Sequence, residues 1–185
     1  MPLSQLDKQV ALIVIDLQKG IVSLPLAHPP HEITDKAAQL ADAFRDRGFP
    51  VVLVNVAGGA PGRTDQSHNF DPPSDWADLV PELKEHPSDH KVTKMRWGAF
   101  HNTGLNEHLQ DLKVTQVFVC GIATSIGVES TARYAHEHGY HVALVTDAMT
   151  DLDPVSHQHS IERIFPRLGE TTTTDEVLSS LSAKT

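Results

Sequence analysis

The 185-residue sequence contains a single cysteine, Cys120. One thiol cannot form an internal disulfide or a cysteine-rich zinc site, so neither device can hold this fold together. Cationic side chains are also scarce: 15 Lys and Arg stand against 24 Asp and Glu, a formal charge of −9 with histidines neutral. An acidic chain repels a phosphate backbone, whose non-specific binding rests on cationic contacts, and nucleic acid is not an expected partner. Long apolar runs are missing too. The longest, Val10–Ile15 and residues 117–120, fall far short of the roughly 20 residues that span a bilayer. Residues 1–8 have neither the basic start nor the apolar stretch of a signal peptide. A soluble, cytoplasmic protein with no membrane contact is expected.

What is present fits a globular protein. Apolar residues make up 39% and charged residues 21%, enough to bury a core without staples, and the length suits one domain over residues 1–185. Short β-branched runs alternate with longer segments of helical period. That pattern predicts a three-layer α/β/α fold around a doubly wound, mostly parallel, Rossmann-like sheet.

Val10–Ile15 is a continuous apolar run, as a strand covered on both faces should be, and it stops at Asp16. Thr34 is placed to cap a helix with Ala37, Leu40, Ala41 and Phe44 on one stripe and Gly48 at its end. Residues 51–54 read as the second strand. Leu105, Leu109 and Leu112 mark a helix leading into a strand over residues 117–120, which Gly121 ends. A helix over residues 126–138, terminated by Gly139, leads to a strand over residues 141–145 closed by Asp147. Asp153-Pro154 announces a last helix with Ile161, Ile164, Phe165 and Leu168 inward, bent or ended by Pro166. Prolines and glycines crowd residues 58–73, and residues 57–90 read as an active-site loop. In open α/β sheets ligands sit beyond the carboxyl ends of the strands. That rule selects Asp16, Asn55, residues 121–127 and Asp147.

Three segments carry further meaning together: Leu12-Ile13-Val14-Ile15-Asp16-Leu17-Gln18, then Thr93-Lys94-Met95-Arg96-Trp97-Gly98-Ala99-Phe100, then Cys120-Gly121-Ile122-Ala123-Thr124-Ser125-Ile126-Gly127-Val128-Glu129-Ser130-Thr131-Ala132. In type, order and spacing they resemble the isochorismatase-like hydrolase superfamily, over almost the whole chain. The resemblance implies a catalytic Asp at Asp16 and a Lys at Lys94. It also implies a cysteine nucleophile at position 127 in the family's amidohydrolases, where this sequence has Gly127. A nucleophilic cysteine needs a thiolate favoured by a helix start and a nearby lysine, and glycine has no side chain to attack with. Cys120 lies seven residues earlier within an apolar strand, where a thiol is usually a small buried hydrophobe.

Isochorismatases, by the same resemblance, also carry glycine at this place and cleave a vinyl ether with the aspartate as general acid. They share a tyrosine and a histidine where this chain has Ala123 and Ser125, so the substrate is expected to differ from isochorismate. The resemblance further implies a cis peptide between Ile122 and Ala123, an oxyanion hole from the amides of Ala123 and Gly127, and a homo-oligomer. Trp97 and Phe100 are candidates to wall the pocket.

The 12 histidines raise the question of a metal. Nicotinamidases of this superfamily use an Asp-x-His pair after the second strand, whereas that region here offers Asp65, His68 and Asp71 with no such pair. His136 and His138, or His157 and His159, are two apart, which on a helix turns them to different faces. The expectation is a hydrolase that needs no metal or cofactor and acts on a small molecule, with water as nucleophile and Asp16 as general acid or base. The alternatives are a silent ligand-binding protein that keeps the pocket and an amidohydrolase with another nucleophile, for which Cys120 is the candidate.

Overall fold

The computed structural model describes residues 3–65 and 72–183. Among the described residues six strands form one sheet in the order β3-β2-β1-β4-β5-β6, and every neighbouring pair is parallel. They are β1 (Val10–Ile15), β2 (Val51–Val56), β3 (His90–Lys94), β4 (Gln116–Ile122), β5 (His141–Thr150) and β6 (Glu170–Thr172). The expected α/β/α architecture is observed. Along β1 the side chains alternate between two cores: Val10, Leu12 and Val14 pack on one face of the sheet, Ala11, Ile13 and Ile15 on the other. The long helix α2 (Pro30–Asp46) and the last helix α7 (Thr174–Ser182) cover the first face. The other face is covered by α3 (Leu105–Asp111), α4 (Glu129–Glu137) and α6 (Phe165–Leu168). Two further short helices, α1 (Lys19–Val22) and α5 (Pro154–His159), lie near the carboxyl edge of the sheet.

Several boundaries differ from those read in the sequence. Helix α2 starts at Pro30 rather than after Thr34, since proline in the first turn gives up an amide that has no helical acceptor there anyway. The Thr34 hydroxyl instead donates to the His31 carbonyl at 3.1 Å. Gly121 does not end β4 but lies within it, at φ +117°. At that point the register against β5 shifts, with Val119 opposite Leu144 but Gly121 opposite Met149. The irregularity lets β5 run on to Thr150, so Asp147 does not close the strand. Its carboxylate accepts from the Thr174 amide at 2.7 Å and pairs with Lys36 at 3.2 Å, tying the start of α7 to the sheet. The helix read over residues 126–138 begins instead as a π-turn, Thr124–Val128, before α4 proper.

Candidate active site

Strand order reverses at β1, which has β2 on one side and β4 on the other, and a crevice opens at their carboxyl ends. Asp16 stands at that point. Its backbone is left-handed, with φ +51°, a conformation that Asp tolerates better than most side-chain-bearing residues. The turn directs its carboxyl into the crevice. Lys94, at the end of β3, reaches across the end of β2, and its ammonium donates to Asp16 Oδ2 at 2.7 Å. Both residues are buried, Lys94 at 1% exposure and Asp16 at 5%.

The second carboxylate oxygen, Asp16 Oδ1, is buried and has no hydrogen-bond partner among the described residues. Burial raises the carboxyl from its usual value to about 6, against the charge and hydrogen bond of Lys94, which pull it down. Desolvation wins, so the group can change protonation near neutral pH. A carboxyl that titrates in this range can take up or release a proton near neutral pH.

The third wall comes from the end of β4. The Ile122–Ala123 peptide is cis, as the resemblance implied. The turn that follows is held from behind: the Ser125 amide donates to Asp151 Oδ2 at 2.6 Å, and the Thr124 hydroxyl lies 2.8 Å from His157 Nδ1. Gly127 faces Asp16. A Cβ built on it would lie 3.2 Å from Asp16 Oδ2, 3.0 Å from Ile15 Cγ2 and 3.5 Å from the Trp97 carbonyl. Asp16, Lys94 and Gly127, far apart in sequence, therefore share the floor of one cavity with Ile122 and Ala123.

That cavity encloses about 400 Å³. Its walls are mostly apolar: Ile21 from α1 and Leu24 just after it, Trp76 and residues 58–60 from the long loop, Trp97, Ile126 and Leu152. The loop reading for residues 57–90 thus holds where it lines the cavity, although it also contains a short 3-10 turn, Pro81–Leu83, and hands over at His90 to the edge strand β3. Phe100 does not line the cavity. The chain turns back after Trp97, the Ala99 amide donates to Thr131 at 3.1 Å, and Phe100 packs into the core against His138 and Tyr140. Asn55 also serves structure, donating to the Ala77 carbonyl and accepting from Thr93.

Sequence reasoning gave no role to Gln18, which is fully buried. Its amide accepts from the Val56 amide at 2.8 Å and donates to the carbonyls of Val56 and Trp76 at 3.0 and 3.2 Å. These bonds clamp the long loop to the strand ends and bring Trp76 over the cavity. The signal available was its position, two residues after Asp16 and polar in an otherwise apolar stretch.

Cys120 is buried in β4, and its thiol is pushed up to about 12, first by burial and then by the charge of Asp147. Asp65 is exposed, and His68 and Asp71 lie outside the described residues. Among the described residues no three His, Cys, Asp or Glu side chains converge as a metal centre would require. No described helix is long and apolar enough to cross a membrane.

With this geometry in place, comparison with known proteins gives a consistent result. The isochorismatase domain profile matches residues 10–176. An uncharacterized isochorismatase family protein of Bacillus subtilis (strain 168), YwoC, is 40% identical over 182 residues, covering 94% of this chain and 95% of its own. Another from Escherichia coli O157:H7, YecD, is 38% identical over 184 residues, covering 94% and 97%. The structure of an isochorismatase family protein from Burkholderia thailandensis superposes with a TM-score of 0.92 at 38% identity, over 98% of each chain. The chain belongs to the isochorismatase family of hydrolases.

Proposed function

We infer that this protein, acting as one domain, hydrolyses a small molecule with Asp16 as general acid, Lys94 as its electrostatic partner and water as the nucleophile. The reaction that suits these groups is vinyl-ether cleavage. Asp16 gives its proton to the terminal carbon of the vinyl group, leaving an oxocarbenium ion. Water adds to the cationic carbon bonded to the ether oxygen and gives up a proton to Asp16, and the resulting hemiketal collapses to an alcohol and a ketone. The positive charge of the oxocarbenium ion develops beside a carboxylate that has just become anionic, which stabilises it.

The observation that carries this reading is the buried Asp16 carboxyl, with one oxygen on Lys94 and the other unpartnered, facing a glycine rather than a thiol. Gly127 stands where the resemblance puts the nucleophile of the amidohydrolases, and the buried Cys120 thiol, held up at about 12, is a poor substitute. A homo-oligomer in the cytoplasm belongs to the same reading. The alanine and serine at positions 123 and 125 favour a substrate other than isochorismate.

The test is a screen of vinyl ethers and small amides with the wild type and with Asp16→Asn. A vinyl ether should be turned over, and the substitution should reduce its rate by roughly 10²–10⁴-fold, the usual range for a positioned acid. Amide hydrolysis that survives Asp16→Asn and is abolished by Cys120→Ser would overturn the mechanism. Release of pyruvate from isochorismate at ordinary enzyme rates would overturn the substrate reading alone.

A further inference from the structure

The charge lining the cavity limits what can enter it. Among the described residues that line it, the charged side chains are Asp16 and Lys94, and they are already paired at 2.7 Å. With Asp16 ionised the lining carries no net charge; with Asp16 protonated it carries one positive charge. The walls above are two tryptophans and aliphatic side chains, which offer no charge to balance a second carboxylate. Burying an unpaired carboxylate against such walls is strongly unfavourable. The half-buried Arg96 does not line this cavity; it donates to the backbone carbonyls of Gly59 and Met95.

We propose that the cavity selects a largely apolar ligand carrying at most one negative charge, and that a bound monoanion is held against the protonated carboxyl of Asp16. The inference rests on the reading of Asp16 as the acid of the site. It deepens that reading, because the ligand's own charge would load the proton that the reaction consumes. Asp16 is faced by Lys94 from β3 and by Gly127 from the π-turn after β4, where a Cβ would lie 3.2 Å from Asp16 Oδ2. Lys94 is the one charged group among them. Since the free carboxyl titrates at about 6, a monoanion bound above that pH takes up a proton, and its affinity should fall by up to tenfold for each pH unit above about 6. A neutral ligand should show no such slope.

Both tryptophans of the chain, Trp76 and Trp97, line the cavity, so their fluorescence reads occupancy directly. Benzoate, benzamide and phthalate serve as monoanionic, neutral and dianionic probes, titrated between about pH 5 and about pH 8. Benzoate affinity should weaken by up to about tenfold per pH unit above about 6 in the wild type and stay flat in Asp16→Asn, whose amide stands for the neutral acid. Benzamide should be flat in both, and phthalate at least about tenfold weaker than benzoate. Leu24→Arg, a change on a partly exposed wall residue, should bring phthalate up to the affinity of benzoate, and it keeps the proposal testable if Asp16→Asn does not fold. Phthalate binding as tightly as benzoate to the wild type, a flat benzoate profile, or no saturable benzoate signal at millimolar concentrations would each overturn the proposal. Turnover enters none of these readouts. A protein with this binding pattern that hydrolyses nothing would sink the enzymatic reading and leave this one; a vinyl-ether hydrolase that binds phthalate as well as benzoate would do the reverse.

Discussion

The smallest residue at the site bears on the chemistry as much as the charged ones. Any side chain at Gly127 would share the cavity floor with Asp16 and Lys94, because its Cβ would touch the Asp16 carboxylate and the Ile15 side chain. Cysteine there would meet both conditions that favour a thiolate, a helix start and a neighbouring lysine. The native Cys120 meets neither and is shielded from reagents by the sheet. Iodoacetamide should therefore leave the folded wild type unmodified, while Gly127→Cys takes up one equivalent per chain in the native state, as mass spectrometry would show. The 3.0 Å approach to Ile15 means that this variant must displace a core side chain by a few tenths of an ångström, at an expected cost of about 1–3 kcal/mol in stability. Rapid alkylation of the native wild type would contradict the assignment of Cys120 as inert.

At the scale of elements, the site depends on how closely β4 runs beside β1. Gly121 pairs with Ile15 across that ladder at φ +117°, and a Cβ on it would be driven into the Ile15 backbone. Neither the conformation nor the contact admits another residue. Gly121→Ala should lower stability by about 3 kcal/mol or more, read as a fall in the urea midpoint, and should also disturb Asp16, the next residue along β1. The sequence could not reveal this role. A glycine at the end of an apolar run reads as a stop signal, and only the neighbouring strand shows that it is a close approach. Strand β3 was hidden for a related reason. As an edge strand it exposes Lys91 and Thr93 and buries Val92 and Lys94, so a lysine occupies an inward position and breaks the apolar pattern. The C-terminal helix α7 does carry a local signal, since Thr173 and Glu176 form a capping box that Thr173-Thr174-Asp175-Glu176 spells out. By contrast β1, α2 and the Asp153-Pro154 start of α5 were legible, because continuous β-branching, a one-sided stripe and a capping aspartate are local signals. Asp153 accepts from the amides of Val155 and Ser156 as that signal implies.

Across the whole molecule, the sheet order gathers at one crevice groups that lie more than 100 residues apart in the chain. Asp16, Lys94 and Gly127 were each legible as strand-end or motif residues, and the resemblance supplied their grouping. What it could not supply was the balance between burial and Lys94 that raises Asp16 to about 6, or the apolar wall brought in by Trp76, Leu24 and Leu152. Those depend on packing between distant segments. The central claim is that Asp16 protonates carbon and water completes the hydrolysis. Its most direct test is turnover, in D₂O, of a vinyl ether that the enzyme accepts, followed by mass analysis of the ketone across a range of pH. The account predicts one solvent deuterium in the new methyl group and a rate that declines as pH rises through about 6. A methyl group without solvent deuterium, or an undiminished rate in Asp16→Asn, would contradict it.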